Sequence, residues 1–142
     1  MVKEAVVRSA NEAVVSNTLS QEMIKAGESL VAKLDKLRFI IDAALWFYLP
    51  EEQVWRLVIA SPEVGVLGPQ KAYKQVQNAL GKLDEDQVKI PLKDITVVDT
   101  KDTLINLFGR AMKTGRGISG IRFSRSSING VPIEDAYIYR MA

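Results

Sequence analysis

The sequence predicts a mixed α/β domain, in which helices pack against a single sheet of about five strands. Helical apolar stripes alternate with strand-like segments, two pairs of those segments are joined by short turns, and one strand–helix–strand succession lies near the C-terminus. The predicted order is helix, strand, strand, helix, strand, helix, strand, strand. With 142 residues, 47% of them apolar, one domain with a sizeable core is expected over residues 18–142.

The first helix is predicted over residues 18–37. Thr18 and Gln21 have the spacing of a capping box, and Ser20 is a competing cap. The apolar stripe recurs every three or four residues, at Leu19, Met23, Ala26, Leu30, Leu34 and Leu37. Residues 1–17 repeat a Glu-Ala-Val-Val segment and are interpreted as an N-terminal arm or an extra helix.

The first hairpin is predicted from residues 38–49 and 54–61, which are rich in β-branched and aromatic side chains. Its four-residue connection pairs Leu49 with Val54. Both faces of this hairpin are apolar, so either helices cover both sides or one face forms a subunit interface. The interface alternative is a homodimer in which three aromatic rings make the contact: Trp46, Tyr48 and Trp55.

The middle of the chain alternates helix and strand. Pro69 is suited to the first turn of a helix, which its stripe extends to Leu83. A short buried strand is predicted over residues 95–98 and a helix over 103–114. Together with a strand over 121–128 they form the predicted βαβ crossover.

The second hairpin is predicted from Asn129-Gly130, a pair typical of a type I′ turn, between residues 121–128 and 131–140. This register places Arg125 opposite Glu134, where an ion pair is expected. Pro132 predicts an edge position for its strand, because proline cannot donate a ladder hydrogen bond.

Composition excludes several function classes. The chain has no Cys and no His, which removes thiol and imidazole chemistry and the usual zinc sites. No cofactor is predicted. No apolar run approaches the length of a membrane span and no signal peptide is visible, so a cytoplasmic location without membrane association is expected.

Residues 103–133 contain five basic residues and no acidic one, although the net charge of the chain is only +2. Residues 115–120 spell G-x-G-x-x-G, but a predicted helix precedes them and a strand follows, the reverse of a dinucleotide site. The segment is interpreted as a helix end and flexible connector, or as an anion nest. The predicted ligand residues are Arg116, Ser119, Arg122, Tyr137 and Tyr139.

The leading hypothesis is a self-associating, anion-binding module that is not an enzyme. It would contact a phosphate-bearing ligand, or nucleic acid, through its C-terminal hairpin. One alternative is a metal-dependent phosphoester hydrolase or transferase that uses Asp42, Asp99 and Asp135, since Mg²⁺ prefers oxygen ligands. Asp99 is more simply interpreted as a turn residue. The other alternative is a purely structural subunit.

Overall fold

The structure is a computed structural model that describes residues 18–142 and contains one five-stranded mixed sheet with four α-helices around it. The predicted N-terminal arm or helix over residues 1–17 lies outside the described residues. The predicted fold class and order of elements are confirmed, with one short additional helix, α2. The elements are α1 (Gln21–Lys36), β1 (Ala43–Leu49), β2 (Val54–Ala60), α2 (Glu63–Leu67), α3 (Pro69–Gly81), β3 (Ile95–Val98), α4 (Thr103–Ala111), β4 (Ile121–Ile128) and β5 (Val131–Met141).

Helix α1 begins where a side chain satisfies its first free amides. The hydroxyl of Ser20, not that of Thr18, accepts a hydrogen bond from the Met23 N–H at 3.1 Å. Ala26, Leu30 and Leu34 of the predicted apolar stripe are buried, whereas Leu37 at its end is exposed. The chain then reverses at Arg38, whose φ of +64° is in the left-handed region, and the Phe39 N–H donates to the Leu34 carbonyl.

Both hairpins have the predicted registers. Leu49 pairs with Val54 across the first turn, and Ile128 pairs with Val131 across the second. Asn129 and Gly130 have φ values of +50° and +79°, as a type I′ turn requires. These registers were predictable because a short turn determines which residues face each other.

The order of the strands is β3-β2-β1-β5-β4, and this corrects two predictions. The crossover joins the parallel neighbours β2 and β3 through α2 and α3, whereas β3 and β4 lie at opposite edges. The strand that contains Pro132 is not an edge strand, because β5 lies between β1 and β4. Its proline is tolerated since β1 pairs with β5 only from Ala136 onward.

Helices cover both faces of the sheet, which is the first of the two alternatives for the apolar hairpin. Helices α1 and α3 pack on the face that carries Trp46, Leu57 and Tyr139. Helix α4 packs on the opposite face through Phe108, whose ring contacts Phe47 edge-to-face. In residues 18–142 there is no helix with the length and apolar character needed to cross a membrane.

Candidate functional site: an arginine cavity at one end of the sheet

Three arginine residues from separate parts of the chain line one cavity of about 520 Å³. Arg38 follows α1, and Arg140 lies near the end of β5. Arg116 lies in the segment before β4 formed by residues 115–120, which we call the glycine-rich connector. We call this space the arginine cavity. Its remaining wall consists of Asp35, Phe39, Ile40 and Ile41.

Arg140 is the buried anchor of the cavity, with only 3% of its surface exposed. Its guanidinium donates to both carboxylate oxygens of Asp35, at 3.0 and 2.8 Å. It also donates to the carbonyl oxygens of Ile41 and Gly117, each at 3.3 Å. A buried cation needs this kind of compensation, and these contacts join α1, the loop after it, the glycine-rich connector and β5 at one point.

Arg116 reaches the same point from the solvent side, with 63% of its side chain exposed. It donates to the Ile41 carbonyl at 3.1 Å and to Asp42 at 2.5 Å. The guanidinium groups of Arg116 and Arg140 therefore converge on one carbonyl oxygen. Two cations so close repel each other, and the carboxylates of Asp42 and Asp35, each paired with one of them, offset this repulsion.

Arg38 adds a third cation. Its left-handed backbone is held by a hydrogen bond from its N–H to the Asp35 carbonyl at 3.0 Å. Among the described residues its side chain makes no hydrogen bond or ion pair. Within residues 18–142, the five N–H donors of this guanidinium therefore have no protein acceptor.

The glycine-rich connector is pinned to β5. The Thr114 N–H donates to the Met141 carbonyl, and the Ser119 N–H donates to the Tyr139 carbonyl at 2.6 Å. Because the Ser119 amide is occupied, it cannot contribute to the predicted anion nest, and Ser119 does not line the arginine cavity. The contribution of the connector to the cavity is Arg116.

Arg122, another predicted ligand residue, is neutralised at the opposite end of the sheet. Its guanidinium makes two hydrogen bonds to Asp135, at 2.7 and 2.5 Å, and lies 5.8 Å from the centroid of the Trp55 ring. Burial opposes ionisation of Asp135, but hydrogen bonds from Arg122 and Ser124 outweigh it and lower the pKa of this carboxyl group. The charge of Arg122 is thus already compensated within the chain.

The expected ion pair of Arg125 with Glu134 is not formed in the part of the chain that the structure describes. Arg125 has a φ of +46° and lacks a ladder partner, although its neighbours Ser124 and Ser126 are paired in regular register. A left-handed backbone departs from the extended conformation in which a side chain faces its cross-strand neighbour, so the ion pair expected from the register alone is not formed.

The two predicted tyrosines lie on the face of β5 that α1 covers. Tyr139 is fully buried, and its hydroxyl donates to the Ile24 carbonyl at 2.6 Å and accepts from the Trp46 indole at 3.0 Å. Burial raises the pKa of this hydroxyl well above its ordinary value. Tyr137 is half-buried against Gly120. Tyr139 is therefore a core residue, and its prediction as a ligand contact is wrong.

The aromatic residues proposed for a dimer contact belong mainly to the core of one chain. Trp46 and Trp55 are buried in the cluster beneath α1 and α3. Tyr48 is half-buried, with its ring centroid 5.2 Å from that of Trp55. These rings take the core position because α1 and α3 cover this face of the sheet.

The carboxylates of the predicted metal site are separated. Asp42 precedes β1 and pairs with Arg116, whereas Asp135 lies near the far end of β1, about 20 Å away at the usual rise per residue. Asp99 accepts a hydrogen bond from the Lys101 N–H at 2.7 Å within a turn. Over residues 18–142 no three acidic side chains are grouped so that they could hold a metal ion.

Sequence reasoning missed Asp35, Arg38 and Arg140, which complete the cavity around Arg116. The one available signal was Arg140, a charged residue in the otherwise apolar end of a strand. Such a residue needs a partner, but the sequence does not show that Asp35 of α1 is that partner.

The chain has no significant match among protein-family models, curated proteins or solved structures.

Proposed function

We propose that this protein is a binding module that holds a small phosphate- or carboxylate-bearing ligand in the arginine cavity. The observation that carries the proposal is the convergence of Arg116 and Arg140 on the Ile41 carbonyl, beside Arg38, whose side chain has no partner among the described residues. The proposal keeps the anion-binding hypothesis and moves the site from the face of the C-terminal hairpin to the end of the sheet.

The hydrogen-bonding capacity left in the cavity supports an anionic ligand. Arg140 uses four of its five N–H donors, and Arg116 uses two. Asp35 and Asp42 compensate two of the three positive charges. An entering phosphate or carboxylate can accept two parallel hydrogen bonds from one guanidinium.

Binding, rather than catalysis, fits the residue types that line the cavity. None of them offers a hydroxyl, thiol or amine nucleophile. The carboxylate of Asp35 is engaged at both oxygens by Arg140. The cavity therefore provides cations and hydrogen-bond donors, which hold an anion in place.

Titration of the protein with inorganic phosphate, followed by amide NMR shifts, tests the proposal. Arg38→Gln and Arg116→Gln each remove one cation and should weaken binding about ten-fold, the usual effect of losing charge-assisted hydrogen bonds. Arg110→Gln is the matched control, because Arg110 is an exposed arginine on α4 outside the cavity. Equal affinity in all four proteins, or shifts that cluster away from residues 35–42 and 114–119, would contradict the proposal.

A further inference from the structure

We infer that the ligand of the arginine cavity carries an apolar group beside its anionic group, and that Ile40 is the residue that contacts it. This inference rests on the proposed function. It concerns the ligand class, a phosphate or carboxylate attached to a short aliphatic chain, which an anion site alone does not specify.

Ile40 is the apolar residue of the cavity that faces outward. It is 49% exposed, whereas its neighbours Phe39 and Ile41 are 3% and 1% exposed. The two neighbours belong to the core under α1 and α3. Ile40 lines the same cavity as the three guanidinium groups, so a ligand held by its anionic end has an aliphatic surface within reach.

The loop that presents Ile40 is held at both ends and in the middle. The Phe39 N–H donates to Leu34 at 3.0 Å, and the Asp42 N–H donates to Ala60 at 2.9 Å. The Ile40 N–H itself donates to the Glu63 carboxylate at 2.9 Å. Because the backbone is already fixed, a ligand chain can pack on Ile40 without the entropic cost of ordering this loop.

The size of the cavity suits a small ligand of this kind. Its volume of about 520 Å³ lies within the ordinary range of small-molecule sites. An aliphatic ligand chain that packs against Ile40 removes its apolar surface from water on one side only. Each methylene is therefore expected to improve affinity about two-fold, roughly half the effect of complete burial.

The test compares inorganic phosphate, ethyl phosphate and butyl phosphate by calorimetric titration of the full chain. The wild-type protein should bind butyl phosphate about four-fold more tightly than ethyl phosphate. Ile40→Thr keeps a β-branched side chain and should abolish this difference while leaving inorganic phosphate affinity unchanged. Val66→Thr is the control, because Val66 is 82% exposed on α2 and does not line the cavity.

The outcomes separate this inference from the proposed function. Failure of all three phosphates to bind overturns the anion site itself. Equal affinity for ethyl and butyl phosphate, with binding lost in Arg116→Gln, keeps the anion site and overturns the apolar group. A chain-length preference that persists in Ile40→Thr overturns the assignment of the contact to Ile40.

Discussion

Removing the negative charge of Asp35 should destabilise the whole domain, because it leaves the Arg140 guanidinium buried without a counter-charge. Breaking a buried pair from one side costs about 3–5 kcal/mol. Here the side chain of Arg140 is 4% exposed but that of Asp35 is 37% exposed, so solvent screens part of the effect. Asp35→Asn also keeps one acceptor oxygen. We therefore expect a loss of about 2 kcal/mol in the free energy of unfolding.

Urea unfolding of matched variants measures this loss. Asp86→Asn removes an exposed carboxylate with no side-chain partner in the described structure and should change stability by less than about 0.5 kcal/mol. Combining Asp35→Asn with Arg140→Met removes both charges and should recover part of the loss. The reasoning about Arg140 is refuted by either of two results. One is that Asp35→Asn lowers the free energy of unfolding no more than Asp86→Asn does. The other is that the double variant loses more free energy of unfolding than Asp35→Asn and Arg140→Met lose in sum.

Three further expectations follow from individual contacts. Gly27→Ala should destabilise the protein by about 2 kcal/mol in urea unfolding, because the added Cβ would collide with the Tyr139 hydroxyl. Gly109→Ala is its control and should stabilise the protein slightly, because the nearest atom to the added Cβ is the Lys113 Nζ at 3.8 Å. Asp42→Asn should strengthen inorganic phosphate binding a few-fold in calorimetry, because it frees the neighbouring guanidinium from its internal carboxylate. Asp135→Asn should reduce the acid sensitivity of stability: the folded pKa of this carboxyl lies below its unfolded value, so its contribution is present above about pH 4 and is lost as the pH falls through the folded pKa.

Each of these expectations has an opposite result that contradicts it. If Gly27→Ala stabilises the protein, helix α1 and Tyr139 are not in close contact. Weaker phosphate binding in Asp42→Asn would mean that this carboxylate supports the site rather than competing with the ligand. Urea unfolding between about pH 5 and pH 2 measures how the free energy of unfolding of Asp135→Asn depends on pH. If this dependence equals that of the wild-type protein, the ion pair of Asp135 does not contribute to stability.

The local elements were predictable because their signals lie within a few residues of each other. The Asn129-Gly130 turn determines the register of β4 with β5, and Pro69 begins α3 as expected. The cap of α4 is equally local, since Asp102 accepts hydrogen bonds from two amides of the first turn that follows it. Helix ends differed from prediction by a few residues, where caps and turns compete.

The arrangement of strands was less predictable. A hairpin forms a unit, but the sequence does not show which of its strands pairs with the rest of the sheet. β5, the longer and more buried strand of the C-terminal hairpin, pairs with β1 in the centre, which leaves β4 at the edge and separates it from β3. Because of this pairing, β3 and β4 are not neighbours, and the predicted crossover between them is not formed.

The sequence by itself determined the order of the elements apart from the short helix α2, the registers of the two hairpins and the absence of cysteine and histidine chemistry. Only the tertiary structure decided that Arg122 is neutralised by Asp135 while Arg116 and Arg140 share the carbonyl of Ile41. The reason is physical: turn and helix signals act over a few residues, whereas the atoms that meet at Ile41 come from positions 75 and 99 residues away, and are joined only when β5 pairs with β1.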